Sequence, residues 1–254
     1  MESRRQRRVS KSAAIYIPAG ALLIAFLTVL GISSFLRIMV IEVQGTTRYA
    51  ATDVISVSGI GRGDNMLFMD LEAAERRIAM AMPFIRDVEI TRMPPDRILI
   101  EVTESTPVAA IDVRGEFLII DSNGRILEQV ESFPAGLIEV RGFTPIEIVV
   151  GSPLRTAPGQ EMTQLQYLRD VLAAFEREEM ADDVSFLDVT FISQVSFGYM
   201  GRFRVLLGRP DHLGQKLSRL PGAIDRINER IGEDVAGDID LSNPVGDIPF
   251  TRSA

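Results

Sequence analysis

No charged residue occurs between Lys11 and Arg37. The run Ser12–Leu36 instead carries Ile15, Ile17, Leu22, Leu23, Ile24, Phe26, Leu27, Val29, Leu30, Ile32 and Phe35. As a helix it would be roughly 37 Å long, enough to cross a hydrocarbon layer of about 30 Å with some tilt. A soluble helix rarely stays uncharged over such a length, so the segment predicts a membrane span. A cleaved signal peptide begins in the same way. Its apolar stretch is typically only about 7 to 15 residues, however, and no Ala-x-Ala site follows here, which favours an uncleaved anchor.

The chain of 254 residues has a net charge of −8, distributed unevenly. Residues 1–12 hold Arg4, Arg5, Arg7, Arg8 and Lys11 against Glu2, a charge of +4, which leaves −12 on the remainder. Basic residues ahead of an apolar helix place that end in the cytoplasm and residues 38 onward outside. The acidic exported part is a poor match for nucleic acid, whose phosphates need the opposite sign. With no cysteine, the chain has neither a disulfide framework nor a thiolate metal site.

The exported part reads as two regions of an α+β protein. In the first, Ile38–Val43 is an apolar strand closed by Gly45. Asp53–Val57 is a short helix ended by Gly59 and capped by Thr52 or a neighbour. Asp70 caps a second helix with Leu71, Ala74, Ile78 and Met82 along one face, until Pro83 stops it. The period then switches to alternation: Val88 and Ile90, a turn at Pro94, Pro95 and Asp96, then Ile98, Ile100 and Val102. The order is β-α-α-β-β.

The second region, from Pro107, is richer in strands. Phe117–Ile120 and Ile126–Leu127 flank Asp121, Ser122, Asn123 and Gly124, a hairpin signal because Asn-Gly accepts positive φ. Further strands are expected at 137–140, 184–189, 195–199, 203–207 and 239–241, while residues 143–161 read mainly as loop. Leu165, Leu168, Leu172 and Phe175 mark a helix. Leu213 to Ile231 marks another, kinked or split by Pro221 and Gly222. Both apolar stripes are expected to pack on a sheet.

No nucleophile and base pair can be named. His212 is the single histidine and has no cysteine to share a metal, so a cap or exposed position suits it better than ligation. Glu178 and Glu179, like Asp182 and Asp183, sit beside a helix end, where charge is ordinarily solvated. Gly59, Gly61 and Gly63 mimic a phosphate loop, but no lysine with Ser or Thr follows, and a turn between two helices accounts for them. No catalytic residue, cofactor or metal is therefore expected, and no small-molecule substrate.

Four local matches in this order carry a family resemblance. They are Val43, Gln44 and Gly45 closing the first strand; Pro83 and Phe84 through Pro94, Pro95, Asp96, Arg97, Ile98 and Leu99; Leu118–Leu127 around Asp121 and Gly124; and Lys216 and Leu217 followed by Asp240 and Leu241. Behind a single signal-anchor helix, this sequence resembles the FtsQ/DivIB family of bacterial cell-division proteins. The resemblance implies a cytoplasmic tail (1–12), a transmembrane helix (13–36), a POTRA domain (38–106) and a β domain (107–254) with a C-terminal partner-binding strand. It also implies a non-enzymatic single-pass scaffold of the inner membrane, concentrated at the septum. Its implied partners are FtsB/DivIC and FtsL, and its role is to recruit or regulate septal peptidoglycan synthesis. A POTRA-containing export or envelope-assembly factor is the alternative.

A last strand with no later neighbour in sequence could leave backbone groups unpaired, a template for an incoming strand. Ile239, Asp240, Leu241, Ser242 and Asn243, with Ile248 and Phe250, are the candidate partner-binding residues. The opposing arrangement has residues 246–251 covering that edge. In the first region, Ile98–Glu101 or Ile38–Val43 could likewise receive a peptide.

Overall fold

A computed structural model describes residues 19–24, which are helical, and 36–252. The expected membrane span, 13–36, lies outside the described residues apart from 19–24 and Leu36. Among the described residues no helix is long and apolar enough to cross a membrane. The chain divides into two compact units, Met1–Ile78 with Asp87–Thr103, and Ala79–Arg86 with Glu104–Ala254.

The first unit is built on strands β1 (Val40–Gln44), β2 (Ile85–Met93) and β3 (Arg97–Glu104), with helices α1 (Ala51–Ser58) and α2 (Leu71–Ala81) between β1 and β2. The alternation in β3 does what its pattern dictates: Ile98, Ile100 and Val102 are buried, as are Val54 of α1 and Ala74 and Ile78 of α2. Asp70 Oδ1 accepts from the amide of Ala73 at 3.0 Å, the expected cap of α2. No side chain caps α1, whose end is set by Gly59 at φ 69°. Gly45, at φ 87°, is required because a Cβ there would lie 2.0 Å from the carbonyl oxygen of Val102.

The sheet order β1-β3-β2 corrects one expectation. β3 is the central strand, with β1 parallel to it from Val40 opposite Arg97 to Gln44 opposite Glu101. Ile98–Glu101 therefore has both sides occupied and cannot receive a peptide. Sequence order suggested an outer strand, but β1 returns to pair alongside the last strand of the unit.

The second unit adds β4 (Ala109–Val113), β5 (Glu116–Ile120), β6 (Ile126–Val130), β7 (Ile138–Arg141), β8 (Val184–Asp188), β9 (Val195–Tyr199), β10 (Phe203–Gly208), β11 (Gly237–Asp240) and β12 (Phe250–Arg252). They form one sheet in the order β12-β11-β10-β9-β8-β7-β4-β5-β6. Its helices are α3 (Gln160–Arg177), α4 (Leu213–Leu217) and α5 (Leu220–Ile231). β4 and β12 were not foreseen from the sequence. The stripe of α3 buries Leu168, Leu172 and Phe175 in the sheet's core, with the Phe175 ring edge-on to Phe197 at 4.8 Å. The expected split of the last helical stretch falls between Leu217 and Leu220, with Pro221 in the first turn of α5, where its missing N–H costs nothing.

α4 and α5 make the crossover between the parallel strands β10 and β11. Lys216 of α4 is fully buried. Its Nζ donates to the carbonyl oxygens of Leu207 at 3.0 Å and Arg209 at 2.7 Å and to Asp211 Oδ1 at 2.7 Å. This ammonium gathers the end of β10 under α4, and the hydrogen bond it gives Asp211 holds that carboxyl below its usual 3.8.

Lys216→Met should destabilise the chain by about 2–4 kcal/mol in chemical denaturation, because the buried Leu207 carbonyl and the part-buried Arg209 carbonyl lose their donor. The lowered Asp211 value makes its contribution present above about pH 4 and lost as the pH falls through the folded-state value. Stability measured against pH should accordingly decline less on acidification in Asp211→Asn than in the parent chain.

Candidate partner-binding edge

The terminal part of the sheet is assembled from the crossover outward. β11 lies parallel to β10, with Val205 opposite Ile239, and Leu241 continues the pairing by donating to the Leu206 carbonyl at 2.8 Å. Ile239 and Leu241 are fully buried, so their side chains belong to the core. Ser242 and Asn243 are exposed in a reversal of the chain. Asp240 Oδ1 accepts from the Ser242 amide at 2.8 Å and Asn243 Oδ1 from the Val245 amide at 3.1 Å, two side-chain-closed turns in succession. Arg219 holds the reversal from the helix side, donating to the carbonyls of Asn243 and Gly246.

The reversal brings the tail back as β12, antiparallel to β11, with Gly237 opposite Arg252, Asp238 opposite Thr251 and Ile239 opposite Phe250. The outer side of Ile239–Asp240 is thus already occupied, which corrects the reading of this strand as the open edge. The arrangement in which the tail covers that edge is the one observed. Gly237 permits the approach: a Cβ there would lie 2.3 Å from the Thr251 carbonyl oxygen and 2.7 Å from the Phe250 ring. Phe250 then stands edge-on to Phe203 at 6.3 Å, and the Arg202 guanidinium lies 4.4 Å from the Phe203 centroid.

β12 is the last strand of the sheet, and among the described residues nothing pairs with its outer side. Its register fixes which groups point there. The Asp240 amide donates to the Pro249 carbonyl at 3.0 Å, so 240 and 249 form a hydrogen-bonding pair. Such pairs alternate along antiparallel strands, which makes Asp238–Thr251 the next one. The N–H and C=O of Phe250 and Arg252 therefore face outward. Beside this edge, Ile248 and Phe250 with Ala223, Ile227 and Ile231 of α5 line a cavity of about 280 Å³, rimmed by Arg226 and Arg230. Of the candidate residues, Ile248 and Phe250 come together here, whereas Ile239 and Leu241 lie inside and Ser242 and Asn243 in the turn. Thr251 and Arg252 were missed. The available signal was an aromatic and a β-branched residue directly after Pro249.

The other singled-out residues lie in ordinary surroundings. His212 is exposed at the start of α4, in the left-handed region and without a side-chain cap bond. Glu178, Glu179, Asp182 and Asp183 are exposed. Burial, and then the neighbouring Asp183 carboxylate, pushes the Tyr199 phenol up, keeping it a neutral hydroxyl. Gly61 donates to Asp64 Oδ2 at 2.8 Å, a turn closed on itself rather than amides turned to a ligand.

A β-α-α-β-β unit followed by a mixed sheet that ends in an exposed strand defines a POTRA-bearing α+β protein. Residues 36–105 match the family model described as POTRA domain, FtsQ-type. Similar proteins include the cell division protein DivIB of Clostridium tetani, 22% identical over 186 residues, 73% of this chain and 68% of that protein. The cell division protein FtsQ of Corynebacterium glutamicum is 32% identical over 133 residues, 52% of this chain and 59% of that protein. FtsQ of Streptomyces bingchenggensis is 31% identical over 105 residues, 41% of this chain and 40% of that protein. The match to these two FtsQ proteins spans less than two thirds of their length. Residues 36–105 are thus similar to the POTRA domain of FtsQ-type proteins, and the chain is similar over part of its length to FtsQ and DivIB cell division proteins.

Gly237→Val should force β12 off β11, at a local cost of about 1–3 kcal/mol for the overpacking. Hydrogen exchange should then quicken at residues 250–252 while β9 keeps its protection. Unchanged exchange at the tail would show that the close approach at Gly237 is not what seats β12.

Proposed function

We propose that this chain is a non-enzymatic scaffold of the division machinery, held in the membrane by residues 13–36 with its basic tail in the cytoplasm. Outside the membrane it binds FtsB/DivIC and FtsL-type proteins by strand addition, and through them recruits or regulates septal peptidoglycan synthesis. The observation that carries this reading is the outer edge of β12, where the N–H and C=O groups of Phe250 and Arg252 face away from β11. The likeness to FtsQ and DivIB proteins supports the choice of partners. The uncharged run at 12–36 and the exposed Leu22, Leu23 and Ile24 support the anchor. An incoming strand would bond to the outward groups and set its side chains against Ile248, Phe250 and α5, which moves the binding residues from 239–243 to 248–252.

The test uses the alternation of the strand. Arg252→Pro removes an outward donor and places a ring against the approaching strand, without touching the inward groups of Thr251. It should weaken capture of the FtsB/DivIC partner by the membrane-reconstituted chain about tenfold or more, whereas Arg252→Ala, which keeps the donor, stays within about threefold. Equal binding by the two variants would remove β12 as the site of strand addition.

A further inference from the structure

Among residues 36–78 and 87–103 of the first unit, the exposed large apolar side chains are Met39, Leu67, Phe68 and Met93; Met80, at the end of α2, falls in the second unit. All four lie at one end of the sheet. The amides of Met39 and Val40 donate to the Asp96 carbonyl at 2.8 and 3.2 Å, which brings Met39 beside the β2–β3 turn and hence near Met93.

The loop between α1 and α2 reaches the same end. Residues 63–66 run antiparallel to 36–38: the Ile38 amide donates to the Asp64 carbonyl at 3.0 Å, Gly63 to Ile38 at 2.7 Å and Met66 to Leu36 at 3.0 Å. As one strand advances from Asp64 to Met66, the other recedes from Ile38 to Leu36. Leu67 and Phe68 therefore project beyond Leu36, the last residue in sequence of the uncharged run 12–36.

This tip is rigidly presented. Asn65 Oδ1 accepts from the Leu67 amide at 2.9 Å, and the Phe68 amide donates to the Asn65 carbonyl at 3.2 Å. Arg92 donates from Nε to the Met66 carbonyl and from Nη2 to the Met69 carbonyl, both at 2.8 Å, clamping the tip on either side. Two apolar side chains nonetheless stand in solvent, Leu67 at 50% and Phe68 at 76% exposure. Exposed Arg37, bridged to Asn65, lies beside them, with exposed Asp64 and Asp70 bordering Phe68 and Arg62 further along the loop.

We propose that Leu67 and Phe68 insert into the outer face of the lipid bilayer, with Met39 and Met93 against it and Arg37 at the level of the lipid phosphates. This peripheral contact would orient the first unit on the membrane. It rests on the reading of residues 13–36 as the membrane anchor. A lipid surface is favoured over a protein partner because the tip is hydrogen-bonded to Leu36, the last residue of the run read as that anchor. An aromatic and an aliphatic side chain with an arginine beside them suit the boundary between headgroups and acyl chains.

The chain contains no tryptophan, so one introduced indole reports alone. Full-length Phe68→Trp is reconstituted into phosphatidylcholine–phosphatidylglycerol vesicles containing dibrominated phosphatidylcholine. Tyr49→Trp, past the opposite end of β1, serves as the control. Emission from the Phe68→Trp chain should shift to the blue and fall by about half, as for a ring at the interface, while emission from the Tyr49→Trp chain is unaffected. A Phe68→Trp chain that resists alkaline carbonate extraction but is unquenched overturns the tip insertion and leaves the anchor standing. A chain stripped by carbonate overturns both. Emission from the Phe68→Trp chain that is shielded only when a partner protein is added overturns the proposal in favour of protein docking.

Discussion

Backbone N–H and C=O groups at the margin of a sheet must find a partner or stay in water, and the second unit handles its two margins differently. At β6 the chain covers part of its own edge: the Ile126 amide donates to Ser152 at 3.0 Å, Gly151 donates to Ile126 at 2.8 Å, and Leu154 donates to Gly124 at 2.7 Å. At β12 the alternate groups of Phe250 and Arg252 are left outward. The first unit has edges too, but β2 lines its margin with exposed Arg86, Asp87 and Glu89, charges that discourage a visiting apolar strand. β12 presents Phe, Thr and Arg instead. Of its three residues only Arg252 is charged.

That strand is held in place by interactions distributed over the preceding crossover. Lys216 fixes the end of β10 beneath α4, Arg219 gathers the reversal at Asn243 and Gly246, and Arg202 donates to the Glu233 and Val235 carbonyls ahead of β11. Each is a cation satisfying main-chain carbonyls that a three-residue strand could not organise for itself. The edge is therefore preorganised, which would lower the entropy lost on addition of a partner strand there.

Much of this architecture was legible because it is local. Alternation at Ile98, Ile100 and Val102, the cap at Asp70, the Asn123–Gly124 turn and the stripe from Leu165 to Phe175 each confine their evidence to a dozen residues or fewer. What escaped was non-local or too short. β4 begins with Ala109 and Ala110, whose small side chains give no strand signature, yet it lies between β5 and β7. Which strand is central is decided by pairing across the chain, so nothing near Ile98 reveals that β1 will lie beside it. Three residues cannot display a period, and Phe250–Arg252 looked like a covering segment rather than a strand with a face of its own.

The shortness of β12 also constrains what binds there. Four outward backbone groups, at about 0.5–1.5 kcal/mol net per hydrogen bond, supply roughly 2–6 kcal/mol, whereas micromolar affinity requires about 8 kcal/mol. Main-chain pairing at this edge sets direction and register but is insufficient alone, all the more because association carries its own entropic cost. The remainder has to come from side chains, and the adjoining cavity between Ile248, Phe250 and the Ala223–Ile227–Ile231 face of α5 is where apolar groups of an added strand would find cover. Arg226 and Arg230 at its rim would favour a partner carrying carboxylates there, a preference of sign that also counters the acidic character of the rest of the chain beyond residue 37.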